Sequence, residues 1–268
     1  MPTVTIAIPI YNVEPYVSAA LHSAFRQTYE AKEILIVDDC STDKSMSITR
    51  DIIASYPDVK SRVVSHPHNC GLGQARNTAI QACNSEWLLF MDSDDYMPPA
   101  AVDKLVEAAV SDGSELVIGS SSAISERTSR ETVHCSLPRM WLEREHAGMF
   151  LKGKMITWLN TEAWGRLYKT SLLRDNDIHT IHSELEDMML FMQVGYCANS
   201  VSTIPDMTYT YRRRSGSICR SNWEEPDRQQ LLNAIKRDVE HYKFTHPCEG
   251  ILEVKDYMLR IINRFATK

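Results

Sequence analysis

The sequence has no excess of basic residues, no long apolar run and no C-x-x-C pair. Its formal net charge of −6 offers no global positive field, which argues against nucleic-acid binding. No window approaches the roughly 18 to 20 apolar residues of a membrane-spanning helix, so we expect none. The opening stretch MPTVTIAIPIYNVEP lacks a basic leader before its apolar run, and it predicts a strand instead of a signal peptide.

Cysteine is scattered and odd in number, which argues against a disulfide framework and favours reduced thiols in the cytosol. The seven cysteines stand at positions 40, 70, 83, 135, 197, 219 and 248. Hydrophobic residues make up 43% and charged residues 24% of the 268 residues, which is ordinary for a globular protein with a sizeable core.

The first 120 residues alternate short β-branched runs with longer amphipathic patterns, which is typical of a parallel sheet covered by helices. Runs such as EILIVDD are apolar along their whole length, as expected for strands buried on both faces. We predict strands over 4–10, 33–38, 62–65, 87–91 and 115–119. We predict helices over 15–27, 43–56, 73–83 and 98–111.

The rest of the chain has weaker patterns. The polar, Ser/Thr-rich stretch 120–138 predicts loops or edge strands, and 209–218 predicts a loop. Helices are predicted over 140–152, 161–173 and 187–196. After residue 214 two apolar stripes at helical spacing predict a helical C-terminal extension over 216–268.

Carboxylates follow two of the predicted strands directly. The stretch EWLLFMDSDDYMPP ends its apolar run in Asp92, Asp94 and Asp95, and ILIVDD ends in Asp38 and Asp39. The carboxyl ends of parallel strands share one edge, where such sheets bind ligands. Acids gathered there would repel one another unless a cation lies among them. An Asp-x-Asp pair after a buried strand suits Mg²⁺ or Mn²⁺ bound to a phosphate chain.

Other interpretations of these acids remain open. They can charge the N-terminus of the helix predicted from residue 98. An EF-hand is excluded because Tyr96 stands at a ligand position and the required glycine is absent. A phosphatase of the D-x-D-x-[TV] type fits poorly because Asp95 replaces Thr or Val.

The stretch NCGLGQARNTAI is a second candidate site. Arg76 stands where a dinucleotide fingerprint has its third glycine, so that fingerprint is not expected. A guanidinium on the first turn of the helix, facing the acidic edge, suits a phosphate or a nucleobase carbonyl. The alternative is a solvated arginine on a surface helix.

Three segments in this order resemble the family 2 glycosyltransferases of GT-A fold: IPIYNVEPYVSAALHSAFRQTYEAKEILIVDDCSTDKS, NCGLGQARNTAI and LLFMDSDD. The resemblance covers about residues 3 to 215 and departs from the usual pattern at Cys40, commonly Gly or Ser. It implies an α/β, Rossmann-like and mostly parallel central sheet with flanking helices, as a GT-A domain over 1–215. Within it, 1–120 would form the nucleotide-sugar half and 121–215 the acceptor half.

The resemblance also assigns roles. Asp94 would hold the metal, Mn²⁺ or Mg²⁺, on the diphosphate. Asp39 would hold the edge of the base, Asp92 would contact the ribose and Asp95 would lie near the donor sugar. The full set implied for nucleotide-sugar binding is Pro9, Tyr11, Asn12, Glu14, Asp39, Arg76, Asp92, Ser93, Asp95, Arg212 and Arg214.

On the acceptor side, WGRLYK resembles the family's W-x-K-L-Y-K segment, and Glu186 and Asp187 open the next predicted helix. The resemblance makes Asp187 the catalytic base with Glu186 beside it; without the resemblance, N-terminal charging of that helix is preferred. Arg212 and Arg214 either close over the diphosphate or form a solvated patch.

Two further patterns carry less weight. Trp158 and Trp164 either stack on an acceptor sugar or belong to the core. His66, His68 and Cys70 can be drawn as a metal cluster, but no second ligand set has zinc-site spacing, so an ordinary loop is favoured.

The resemblance implies inverting transfer of a sugar from a nucleotide-diphosphate donor, first a UDP-sugar, to a hydroxyl of a glycan or lipid-linked glycan, as in bacterial surface polysaccharide or glycoconjugate synthesis. It implies a cytoplasmic enzyme, with peripheral contact at the inner face of the membrane or homo-oligomer formation as alternatives for the C-terminal helices. The rival hypotheses are an inactive nucleotide-sugar-binding scaffold and an α/β interaction protein.

Overall fold

The structure is a computed structural model that describes residues 1–143, 161–180 and 186–214. The predicted extension 216–268, Trp158 and most of the helix predicted over 140–152 lie outside the described residues.

The described chain forms one mixed sheet with helices on both faces. Its strands are β1 Val4–Ile10, β2 Lys32–Asp38, β3 Ser61–Ser65, β4 Trp87–Phe90, β5 Leu116–Ser125, β6 Glu131–Cys135, β7 Met140–Glu143, β8 Arg166–Lys169 and β9 Ser200–Arg213. Its helices are α1 Val17–Phe25, α2 Ser45–Ser55, α3 Leu72–Ala82, α4 Ala101–Asp112, α5 Thr170–Asp175 and α6 Glu186–Cys197. None of the helices described here is long and apolar enough to cross a membrane.

The first half of the sheet is parallel, with strand order β3-β2-β1-β4. Successive side chains of a strand point to opposite faces, which divides the core in two. On β1, Ile6 and Ile8 pack with α1, α2 and α4, whereas Ala7 packs with α3, α5 and α6. This burial on both faces confirms the predicted α/β fold class and places the strand ends at one edge.

The second half is built differently from the prediction. The stretch 120–138, predicted as loops or edge strands, contains the end of β5 and the whole of β6, which pair antiparallel. Two of its serines are buried in the sheet with polar partners: Ser120 Oγ donates to the Ile204 carbonyl at 3.2 Å, and the hydroxyls of Ser122 and Thr210 lie 3.0 Å apart. A polar composition therefore did not exclude a central strand.

Two predicted helices and one predicted loop are wrong where the structure describes them. The stretch 161–173 contains β8, inserted antiparallel between β4 and β5, before the short α5. The helix predicted from residue 140 begins as β7, an edge strand beside β9, and the loop predicted from residue 209 is the end of β9. Pairing with strands far along the chain overrides the local pattern. The helix predicted over 187–196 is confirmed as α6.

Candidate active site

Asp39 follows β2 and is enclosed by the loop that leads into α3. Its two carboxylate oxygens accept the backbone N–H groups of Cys70 and Gly71, each at 2.8 Å. Gly71 has φ of 86°, a conformation that glycine adopts without strain, and this turn directs both N–H groups at Asp39. His66 Nδ1 lies 2.7 Å from Asp39 Oδ1. The carboxylate is thus held rigidly at the edge, while neighbouring Asp38 accepts the Ser41 N–H at 2.9 Å within its own turn.

The residues predicted from the β1 turn join two loops at the same edge. Asn12 Oδ1 accepts the Thr42 N–H at 2.8 Å, and the Glu14 N–H donates to Asp43 Oδ2 at 2.9 Å. Tyr11 is exposed, whereas Pro9 is buried within β1. Asn12 and Glu14 therefore shape this rim, on which Tyr11 and Asn12 are exposed.

Arg76 joins Asp92, which follows β4, to the start of α6. It is the fifth residue of α3 and is fully buried, so the alternative of a solvated surface arginine is wrong. Nη2 donates to Asp92 Oδ1 at 2.9 Å, and Nη1 donates to Glu186 Oε1 at 2.9 Å and also to Asp187 Oδ1. One guanidinium thus holds three carboxylates.

The pKa values of these carboxyls are raised. Burial raises the pKa of Asp187 to about 7; the charge of Arg76 opposes this and the charge of Glu186 adds to it. Burial likewise raises the pKa of Asp92 to about 6, again against the effect of Arg76. The pKa of Glu186 is raised by burial in the same way. A carboxyl with a pKa near neutral pH can take up and release a proton during a reaction.

Asp95 is buried against β9. Its Oδ2 accepts the Tyr209 hydroxyl at 2.8 Å, and its Oδ1 accepts the Arg212 N–H at 2.7 Å. The Tyr209 oxygen also accepts the Asp92 N–H at 3.0 Å. Both oxygens of Asp95 thus bond β9 residues and not the N-terminus of α4, which begins at Ala101, so Asp95 does not cap this helix. Asp95 anchors the acidic loop, residues 92–95, to β9.

Tyr209 is a functional residue that the sequence analysis missed. Its ring stacks on Trp164 at 4.2 Å between centroids, and a side chain at Gly165 would meet the Tyr209 Cβ at 3.0 Å. Trp164 is buried, which favours its core interpretation over stacking on a sugar. The only local signal was the YTYRRR pattern, which alternates as a strand does.

The substitution Tyr209→Phe should destabilise the protein by about 1 to 3 kcal/mol, because Oδ2 of buried Asp95 loses the hydroxyl that donates to it. Urea unfolding measures this loss. The matched control is Tyr11→Phe, which removes an exposed hydroxyl and should leave the unfolding free energy unchanged. Equal stability of the two variants would contradict the anchoring role of Tyr209.

Asp94 meets two arginines from the end of β9. Arg214 Nε donates to Asp94 Oδ2 at 2.7 Å, and Arg212 Nε donates to the Asp94 carbonyl at 2.8 Å. Both guanidinium groups lie over the Tyr16 ring, at 5.6 Å for Arg212 and 5.0 Å for Arg214. These arginines are therefore bound to the acidic loop, and the interpretation as a solvated patch is wrong.

The acidic loop can accept a divalent cation. Asp94 has a partly exposed carboxylate, 19% of its side-chain surface, next to Asp92 and Asp95, while Ser93 is buried between them. This all-oxygen set is the kind that Mg²⁺ and Mn²⁺ take together with phosphate oxygens. A cation at Asp94 would compete with the Arg214 guanidinium for the same carboxylate.

Comparison with known proteins agrees with this geometry. The family model described as Glycosyl transferase family 2 matches residues 5–175. Glycosyltransferase GlyA of Streptococcus pneumoniae serotype 4 is 28% identical over 268 residues, which is 96% of this chain and 37% of GlyA. Putative glycosyltransferase EpsH of Bacillus subtilis strain 168 is 30% identical over 224 residues, which is 81% of this chain and 62% of EpsH. This chain spans less than two thirds of either relative.

Among solved structures, Staphylococcus aureus TarS 1-349 in complex with UDP-GlcNAc superimposes with a TM-score of 0.72 at 23% sequence identity. The match covers 98% of this chain and 72% of that chain, and it shows a shared GT-A fold. The family match spans most of the described sheet and both carboxylate-bearing strand ends. The chain belongs to glycosyl transferase family 2.

Proposed function

We propose that this chain is a metal-dependent, inverting glycosyltransferase that moves a sugar from a nucleotide-diphosphate donor to a hydroxyl of a glycan or lipid-linked glycan. The observation that carries the proposal is the Arg76 network, which joins Asp92 at the end of β4 to Asp187 at the start of α6. It brings a carboxylate from the strand end beside a carboxyl whose pKa is about 7. Bacterial surface polysaccharide or glycoconjugate synthesis is the process in which such a reaction fits.

Asp187 is the proposed base. The acceptor oxygen attacks the anomeric carbon while its proton passes to Asp187, and the bond from that carbon to the diphosphate breaks with its electrons staying on the diphosphate. The single in-line displacement inverts the anomeric centre. Arg76 holds Asp187 in place through its Nη1 donor, which Glu186 also binds.

The donor would lie along the edge from Asp39 to Asp94. Asp39 is proposed to accept a hydrogen bond from the nucleotide base, and Asp92 one from the ribose. Tyr11 lines the exposed rim. A bound Mn²⁺ or Mg²⁺ supplies positive charge to the leaving diphosphate, and Asp94 would hold it. Arg212 and Arg214 add positive charge beside the same loop. The TarS structure with UDP-GlcNAc supports a UDP-sugar as the first donor to examine.

A thermal-shift panel tests the donor class. The chain is mixed with UDP, GDP, CDP or ADP, each with Mn²⁺, Mg²⁺ or EDTA. We expect stabilisation by UDP that requires the metal, because binding to the folded state raises the melting temperature. Absence of a response to every nucleotide would contradict the proposal. Stabilisation without sugar transfer to any glycan acceptor would favour the inactive scaffold.

The substitution Asp94→Ala should remove the metal dependence of UDP binding. Without this carboxylate the cation loses its protein ligand, so the difference between Mn²⁺ and EDTA in the UDP-induced melting shift should disappear. Asp43→Ala, at the nearby rim, is the control and should keep that difference. A full metal response in Asp94→Ala would remove Asp94 as the metal ligand.

A further inference from the structure

The loop between β3 and α3 brings a histidine and a cysteine to Asp39. His66, Cys70 and Asp39 each offer a ligand atom, and these atoms all lie within 4.8 Å of one another. In the sequence, this histidine and cysteine have no second ligand set at zinc-site spacing. Asp39 supplies one, from 27 residues before His66 along the chain.

The three side chains are already oriented. Asp39 is fixed by the N–H groups of Cys70 and Gly71, which also fix the backbone of Cys70. The His66 ring turns Nδ1 toward Asp39, and its Nε2 lies 2.8 Å from the Thr78 hydroxyl. A histidine that ligates a metal through one nitrogen usually bonds the other to such a partner. The supporting contact for a ligand is therefore present.

We propose that Asp39, His66 and Cys70 bind Zn²⁺. A carboxylate, an imidazole and a thiolate are the ligands that zinc takes in proteins, and the thiolate disfavours Mg²⁺ and Mn²⁺. Three protein ligands leave a fourth position open. The site is therefore chemically distinct from the all-oxygen set at Asp94.

Zinc would lie between His66 Nδ1 and Asp39 Oδ1 and would bind the His66 tautomer that carries its one proton on Nε2. Bonds of about 2.0 Å to each atom require the Nδ1 to Oδ1 distance to widen from 2.7 Å to roughly 3.3 Å in a tetrahedral site. His66 stays neutral with its proton on Nε2, where it donates to Thr78. The Cys70 thiol, which lies 3.3 Å from the His68 carbonyl, releases its proton to solvent on binding.

The consequence rests on the proposed function, in which Asp39 accepts from the nucleotide base. An Asp39 oxygen bound to zinc is lost to the base, so Zn²⁺ and UDP should compete. Zinc would then inhibit transfer from a position separate from the catalytic cation at Asp94.

The test measures metal binding without nucleotide, on the reduced chain. Titration with Zn²⁺ is followed by calorimetry, and Co²⁺ serves as a coloured probe whose thiolate absorption band reports a cysteine ligand. Cys70→Ser keeps the backbone N–H that binds Asp39, so the fold should persist. Cys40→Ser is the matched control, because the Cys40 sulfur lies beside the Pro67 carbonyl at 4.0 Å and outside the cluster.

We expect one Zn²⁺ per chain and a Co²⁺–thiolate band in the natural chain and in Cys40→Ser. Cys70→Ser should lose the band and bind Zn²⁺ about tenfold more weakly or worse, since even a supporting residue contributes that much. No band in the natural chain, or equal zinc affinity in Cys70→Ser, would overturn the site. Should Cys70→Ser not fold, alkylation of the natural chain decides: zinc should protect Cys70 and leave Cys40 reactive, and equal labelling of both overturns the site.

A second titration separates this inference from the proposed function. Zn²⁺ should raise the apparent Kd for UDP in the natural chain and in Cys40→Ser, and have less effect in Cys70→Ser. Zinc binding with unchanged UDP affinity would overturn the proposed competition, and the nucleotide base would then not contact Asp39. Failure of UDP to bind even without zinc would refute the donor class and leave the Co²⁺ result standing.

Discussion

The substitution Asp187→Asn is expected to lower kcat by about 100- to 10,000-fold, the range that one general acid or base contributes. Asparagine keeps the size of the side chain and can still contact Arg76, but it cannot take the acceptor proton. Nucleotide binding should persist because Asp187 belongs to α6, on the acceptor side of the network. The measurement is kcat under saturating donor, alongside the thermal shift with UDP and metal.

The pH profile gives a second readout for Asp187. Its pKa of about 7 lies above the ordinary value for aspartate, so the base is protonated below that pH. The rate of the natural enzyme should therefore fall on the acid side of about pH 7. The control Asp51→Asn removes an exposed carboxylate of α2 and should leave both kcat and the profile unchanged. Unchanged turnover in Asp187→Asn would remove it as the base.

The substitution Arg76→Met is expected to have the second large effect, on both stability and catalysis. It removes the buried cation that Glu186, which is buried, shares with Asp92 and Asp187, which are partly buried, and loss of one member of a buried ion pair costs about 3 to 5 kcal/mol. Because the charge of Arg76 lowers the pKa of Asp187, its removal should raise that pKa further. The acid limb of the rate profile should then move to higher pH.

Two further variants separate the positioning role of Arg76 from a merely structural one. Arg76→Lys keeps the positive charge but lacks the planar fork that reaches several carboxylates. In Arg76→Lys the acid limb of the rate profile should lie nearer that of the natural enzyme than it does in Arg76→Met. Its kcat should still fall, and by a larger factor than KM changes. Arg50→Met, on the exposed face of α2, is the control for loss of a cation. An acid limb that stays in place in Arg76→Met would contradict the effect of Arg76 on the base.

Much of the parallel half could be predicted from the sequence. Each of its strands is an apolar run between turn residues, and the predicted and observed strands differ by one residue at most at each end, as in β1 and β2. The acids at the ends of β2 and β4 could be placed at one edge because parallel strands end together. The opening of α6 at Glu186 and Asp187 also followed from local pattern and resemblance.

The antiparallel half could not be predicted in this way. β8 lies between β4 and β5, and β9 pairs with β5 from about 85 residues away, so neither is defined by its own neighbours in sequence. Serine and threonine in β5 and β9 lose water on burial, and Ser120 and Ser122 recover hydrogen bonds from partners far along the chain. Composition alone therefore indicated loops or edge strands.

Sequence patterns specify the α/β class, the succession of strands and helices along the parallel half, and the acidic edge. Each of these depends on the spacing of residues close together in the chain. The placement of Arg76 among Asp92, Glu186 and Asp187 depends on contacts across as many as 111 residues. The meeting of Asp39 with His66 and Cys70 depends in the same way on folding. Both arise because the sheet brings its strand ends and the starts of α3 and α6 to one edge, where burial turns separate charged residues into interacting groups.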